Sequence, residues 1–270
     1  MDNISRRQVL RGTAAAAVTL GAPSVRAQKD QQILRFVVDA DLKVLDPVWT
    51  TAYITRNHGF LVYDTLFGTD ENLQIRPQMV DQTIISPDGM RYAFKLRDGL
   101  RWHDGHPVLS EDCVESLKRW GKKDRLGQLL MAHTAKVVAV DSKTFTLDLS
   151  EPFGLVLDAL GKTGGNVPFM MPARIAATPL GDQIKDPVGS GPFKFARDEW
   201  KPGEQVEYVR NNDYVPRDEP PSGSTGGKRV HLDKVIWRYI ADPWTAAEDL
   251  AAGEVDWCRS HRWTSCPSSN

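Results

Sequence analysis

Three short clusters hold the side chains in this sequence that could do chemistry. His103-Asp104-Gly105-His106 offers two imidazoles and a carboxylate, donor types that a zinc ion accepts. A metal centre wants more clustered ligands, and Asp104-Gly105 is a turn signature, so the spacing predicts a hairpin turn here. Gly161-Lys162-Thr163 ends like a phosphate-binding loop, but the first glycine of that motif would fall at Val156, so the cradle of backbone amides is missing. Gly189-Ser190-Gly191 sets its glycines directly beside the serine, whereas a nucleophile elbow needs them two residues away; Ser190 reads as a turn residue. Acids are spread without a paired-carboxylate pattern. Nothing compels an enzyme, and neither a cofactor nor a resident metal is expected.

The elements around these clusters are mixed α and β, with strands outnumbering helices. Ile33–Val38 is a compact apolar run, a buried strand. Tyr53 to Phe67 reads as a helix, with Ile54, His58 and Leu61 near one face. Ser86-Pro87-Asp88-Gly89 turns the chain into an alternating strand at Tyr92–Arg97, and Asp98-Gly99 turns it again. Ser110 is placed to cap a helix running to Trp120. Lys136–Val140 and Thr144–Leu149 form a hairpin, and Phe153–Leu160 a short helix. Strands follow at Phe193–Phe195, Val206–Val209 and Val230–Ile240, with a last helix over Pro243–Ala252. Pro216–Gly227, rich in Pro, Gly and charge, reads as a surface excursion. No internal repeat is found.

Composition narrows the classes. The 270 residues are 41% hydrophobic and 26% charged, which fits neither an integral membrane protein nor a disordered chain. With 34 Lys+Arg against 35 Asp+Glu there is no basic surplus of the kind a nucleic-acid binder shows. Three cysteines do not make a disulfide scaffold. The N-terminus has the tripartite layout of a secretory signal peptide. It has paired Arg6 and Arg7, a short apolar stretch from Gly12 to Ala22, and Val25-Arg26-Ala27 with small residues where a signal peptidase reads. The paired arginines make it a twin-arginine type, with cleavage after Ala27 and a soluble periplasmic product. The apolar stretch is well short of the roughly 20 residues a bilayer span needs.

Several pieces in order resemble one family. Leu45-Asp46-Pro47 follows the first strand, and Tyr63-Asp64-Thr65-Leu66-Phe67 closes the next element. Leu73-Gln74-Ile75-Arg76-Pro77 leads to Leu96-Arg97-Asp98-Gly99-Leu100-Arg101-Trp102-His103-Asp104-Gly105. Then come Thr144-Phe145-Thr146-Leu147, Glu151-Pro152, Gly189-Ser190-Gly191-Pro192-Phe193 and Ala252-Gly253-Glu254-Val255-Asp256. Together they resemble the bacterial family 5 extracellular solute-binding proteins, the dipeptide- and oligopeptide-binding components of ATP-driven importers, over residues 33–257.

The resemblance implies a periplasmic binding protein-like clamp of class II type. Its parts would be a signal peptide at 1–27, lobe I at 28–48 and 166–257, and an inserted domain II at 49–165. Here the sequence departs from the family's pattern: most of domain III would be missing, and 258–270 would be an aberrant tail, from a frameshift near Cys258 or else a natural disordered tail. The implied partners are a peptide or similar small solute and the membrane permease of an ABC transporter, with the protein acting as a monomer. Binding by this chain alone would be weak or absent. The ligand-binding residues it implies lie just downstream of Asp46-Pro47: Thr51 and Tyr53 first, and Trp49 as a stacking candidate. Trp237 and Tyr239 fit either cleft or core. Two alternatives stand beside this reading. One is a twin-arginine-exported metalloprotein or enzyme using His103–His106; the other is a half-protein that only contacts a permease.

Overall fold

The computed structural model describes residues 31–258. The signal region, with Arg6, Arg7 and Ala27, and residues 259–270 lie outside the described part.

The chain starts with β1 (Ile33–Val38), continues through α1 (Tyr53–Val62), and lays down four short to medium strands: β2 (Asp64–Thr65), β3 (Phe67–Thr69), β4 (Ile75–Pro77) and β5 (Val80–Ile85). Next come β6 (Arg91–Leu96), α2 (Ser110–Gly121), α3 (Arg125–Ala132), β7 (Thr134–Ala139), β8 (Thr144–Leu149) and α4 (Val156–Gly161). The remainder is β9 (Phe169–Met170), α5 (Ala173–Ala176), β10 (Phe193–Lys201), β11 (Gln205–Arg210), β12 (Lys234–Tyr239), α6 (Pro243–Ala252) and β13 (Trp257–Cys258).

Two sheets organise these elements. The larger runs β10-β11-β12-β1-β13, antiparallel from β10 to β12 and parallel from β12 through β1 to β13. β1 is paired on both sides, which suits its nearly unbroken apolar sequence. The parallel step from β12 to β13 needs a crossover, and α6 supplies it. Pro243 opens that helix, Asp242 caps it by accepting from the Thr245 N–H at 3.0 Å, and Gly253 ends it at φ 76°. The second sheet, β5-β6-β8-β7, is antiparallel. Its inner side chains (Tyr92, Phe94, Phe145, Leu147) pack with Leu117 and Trp120 of α2 and Leu130 of α3. A separate cluster holds the larger sheet, with Val38, Tyr208, Val235 and Trp237 packed under Ile54, Val62 and Tyr63.

The structure revises several expected boundaries. The helix expected to reach Phe67 stops at Val62, because Tyr63 turns extended and Asp64–Thr65 pairs with β9. Ser110 does not cap α2; it is the first helical residue and its hydroxyl donates to the Asp141 carbonyl. Asp112 instead reaches back to accept from the Leu109 N–H at 2.8 Å. The expected surface excursion at Pro216–Gly227 is docked on β3. Ser224 N–H donates to Thr69 O at 2.9 Å, and a Cβ on Gly223 would sit 2.4 Å from that same oxygen.

Candidate ligand-binding face

The segment after β1 has a buried root. Asp46 is fully buried and its carboxylate accepts from the Val48 N–H at 3.0 Å, the Ile184 N–H at 3.1 Å and Arg119 Nη2 at 2.6 Å. Arg119 in turn donates to the carbonyl of Thr178 and, at 3.4 Å, to that of Asp182. A buried charge needs this many partners to be tolerated. The conspicuous Asp46-Pro47 pair is therefore a foundation, and Leu45 and Val48 are buried beside it.

Past Val48 the chain rises to the surface. Asn166, at φ 48°, spans the rise with its side-chain amide nitrogen donating to the carbonyls of Pro47 at 3.2 Å, Val48 at 3.0 Å and Thr50 at 3.1 Å. Its own carbonyl accepts from the Trp120 indole at 2.7 Å, tying the rise to α2. Thr51 then passes so close to Gly165 that a Cβ there would meet the Thr51 side chain at 3.1 Å. Trp49 is half-buried, Thr51 is exposed, and Tyr53, the first residue of α1, is 65% exposed. The structure thus brings Trp49, Thr51 and Tyr53 to one surface segment, against the loop 163–166.

Two cations lie over the rings of this segment, one on each, and the sequence reading missed both. Lys123, after α2, sits with Nζ 4.6 Å from the centre of the Trp49 ring. Arg56, one turn into α1, lies 4.5 Å over the Tyr53 ring. Its guanidinium is fixed by bonds to Asn57 Oδ1 at 3.3 and 3.0 Å and to Thr163 O at 3.5 Å. Arg56 follows the predicted residues by three positions on the same helix, so helical spacing is the signal that could have found it. Nothing local foretells that Lys123 reaches Trp49.

The other sequence candidates have structural jobs. His103 Nδ1 accepts from the Gly189 N–H at 3.4 Å, so Nε2 carries the proton and donates to Gly191 O at 3.1 Å. Burial holds this imidazole down at about 4, and its charge-free form keeps both bonds. The His106 side chain is exposed and pairs with Asp104 at 3.1 Å, while its carbonyl accepts from the Trp102 N–H at 2.8 Å. Among the described residues no group of three His, Cys, Asp or Glu side chains could hold a metal ion. Ser190 is buried in a turn wedged against α1, where a Cβ on Gly189 would lie 1.9 Å from Val62 O. Lys162 follows the C-terminus of α4 and pairs with Asp124, so the Gly161-Lys162-Thr163 stretch offers no helix N-terminus to a phosphate. Trp237 is core, edge-on to Tyr208 at 4.9 Å, and Tyr239 packs half-buried against the same cluster. His58 was read only as lying on the helix face; it is fully buried, bonded to the Tyr208 hydroxyl at 2.9 Å, and pushed down by burial to about 3.

Comparison with known proteins bears on this arrangement. A probable peptide ABC transporter periplasmic-binding protein of Sinorhizobium fredii is 43% identical over 259 residues, covering 94% of this chain and 48% of the relative. The solved binding protein AgaA, in complex with agropinic acid, from A. tumefacien R10, superposes with a TM-score of 0.66 at 27% identity, over 83% of this chain and 43% of that one. The Helicobacter pylori periplasmic binding protein DppA, in complex with the peptide STSA, gives 0.65 at 26%, over 83% and 46%. The chain spans about half the length of the relatives it matches. Its mixed α/β fold is that of these periplasmic binding proteins. The family model described as bacterial extracellular solute-binding proteins, family 5 Middle, matches residues 74–268, most of the chain and most of the 258–270 segment, and the chain belongs to that family.

Proposed function

We propose that this chain supplies one wall of the solute-binding clamp of an ABC importer, and that Trp49, Thr51 and Tyr53 meet the solute. One observation carries the assignment. A buried, well-bonded root holds up a segment on which Thr51 and Tyr53 turn to solvent and Trp49 is only half-buried, instead of packing the core. The solute class is peptides or similar small molecules, as the names of the relatives indicate for those proteins. The membrane partner is the importer's permease, and the protein works in the periplasm as a monomer without catalysing a reaction. The N-terminal pattern around Arg6, Arg7 and Ala27 supports export by the twin-arginine route with cleavage after Ala27.

The division into lobe I at 28–48 and 166–257 and an inserted domain at 49–165 draws partial support from the two hydrophobic clusters, one centred on the β5-β6-β8-β7 sheet and one on the larger sheet, although Val188 packs on both. By packing, α1 belongs with the cluster of the larger sheet. The reading is tested by backbone-amide NMR of the purified, isotope-labelled chain titrated with a mixed tripeptide library. The expected result is weak, saturable shifts confined to residues 49–56 and 163–166. Shifts centred elsewhere, with this face silent, would overturn it.

A further inference from the structure

Two recesses away from the Trp49–Tyr53 segment treat charge in different ways. The smaller, about 230 Å³ between β4 and the 216–227 segment, closes its own balance, with Arg76 on Asp70 at 2.9 Å and Arg217 on Glu219 at 2.8 Å. The larger, about 350 Å³, is lined by Arg210, Lys228, Arg229 and His231 together with Asn212 and Tyr214, and among the described residues no carboxylate lines it. Three acids beside these residues are already used. Asp64 is buried and accepts from Lys228 Nζ at 2.8 Å and from the Tyr214 hydroxyl at 2.9 Å. Asp233 accepts from Arg210 at 2.7 Å, and Asp213 turns to Lys194 at 3.7 Å. Arg229 and His231 are exposed, and neither side chain has a partner among the described residues.

The cations of this recess are held in place. Arg210 ends β11 and donates through Nε to Leu232 O at 2.8 Å and through Nη2 to His231 O at 2.8 Å and to Asp233. Three of its five N–H groups are thereby engaged, and the pair on Nη1 has no acceptor among the described residues. Lys228 gives one ammonium proton to Asp64 and keeps two. The recess also stands apart from the solute face. Tyr53 opens α1, whereas at the other end of that helix Val62 O accepts from the Gly191 N–H at 2.9 Å. Gly191 O accepts in turn from the side chain of Asn211, in the recess wall, at 3.0 Å. The ten residues of α1, about 15 Å of helix, lie between the two.

We propose that this recess is an anion site for a phosphate monoester, carried by a small phosphorylated molecule or by a lipid headgroup. Such a group presents three terminal oxygens where a carboxylate presents two, so it can take the Arg210 Nη1 pair, the Lys228 ammonium and Arg229 together. The volume suits a small organic phosphate, at the lower end of ligand pockets.

The test is titration of the isotope-labelled chain at constant ionic strength, read at the backbone amides of Asn212, Arg229 and His231. Glycerol 3-phosphate should shift these amides saturably at concentrations where acetate does not, and raising the salt should weaken the effect. Arg229→Gln, at an exposed side chain that holds nothing else, should weaken binding by about threefold to tenfold, and Arg229→Lys should keep part of it. Sedimentation with phosphatidylcholine vesicles, with and without phosphatidic acid, separates the sources. Association that needs phosphatidic acid and is reduced by Arg229→Gln identifies a headgroup, whereas glycerol 3-phosphate binding without vesicle association identifies a soluble ester. Equal shifts with acetate, shifts centred elsewhere, no saturable shift, or parent affinity in Arg229→Gln would overturn the site.

Discussion

Asp46 and Tyr53 are seven positions apart, and the structure treats them in opposite ways. At Asp46 every charge is matched inside the protein, with a guanidinium and two backbone amides within 3.1 Å of a carboxylate that solvent does not reach. At Tyr53 the ring is mostly exposed, its neighbouring cation has no carboxylate partner among the described residues, and the contacts that hold the segment go to backbone carbonyls. The carboxylate of the root is satisfied by the protein itself. Side chains that remain unsatisfied, on a segment anchored so firmly from below, are available to something else.

The comparison can be broken most forcefully at its root. Asp46→Ala strands Arg119 as a buried, unpaired charge and should cost about 3–5 kcal/mol in urea unfolding. A cost under about 1 kcal/mol would mean the root is not a foundation. Next in size is an acid sensitivity set by His58. Its folded pKa is depressed from 6.5 to about 3, so the unfolded chain takes up a proton that the folded chain refuses. Stability from this group is complete above about pH 6.5 and is lost as pH falls toward 3, at up to about 1.4 kcal/mol per pH unit. His58→Gln should flatten that slope when unfolding is measured across the same window. Smaller again is Asn166→Ala, which removes an amide whose two N–H groups are shared among three carbonyls of the rising segment and should cost about 1–2 kcal/mol. It should also shift the amides of residues 49–53 while leaving the β5–β8 sheet unchanged, a change readable in the same NMR spectrum.

Much of the fold was legible where the signal is local. The β-branched run at β1 and the Pro-start, Gly-stop punctuation of α6 gave both elements their observed bounds. α3 was not legible. It carries Gly127, which disfavours a helix, but a Cβ there would meet the Trp120 ring at 3.1 Å, so close packing on α2 needs that glycine. The end of α1 failed for a similar reason, since pairing with β9 about a hundred residues later decides it. The site divides in the same manner. Trp49, Thr51 and Tyr53 came from the resemblance, by counting from Asp46-Pro47. The loop at 163–166 and Lys123 came only from the fold, because the contacts that place them join residues far apart, 107 positions in the case of Arg56 and Thr163.

The most direct test of the contrast between root and face is a paired measurement on Tyr53→Ala. Urea unfolding and titration with the mixed tripeptide library would be run on the same preparation. An exposed side chain that serves recognition should leave stability within about 0.5 kcal/mol of the parent while weakening binding about fivefold or more. Unchanged binding, or binding lost only together with stability, would contradict the account.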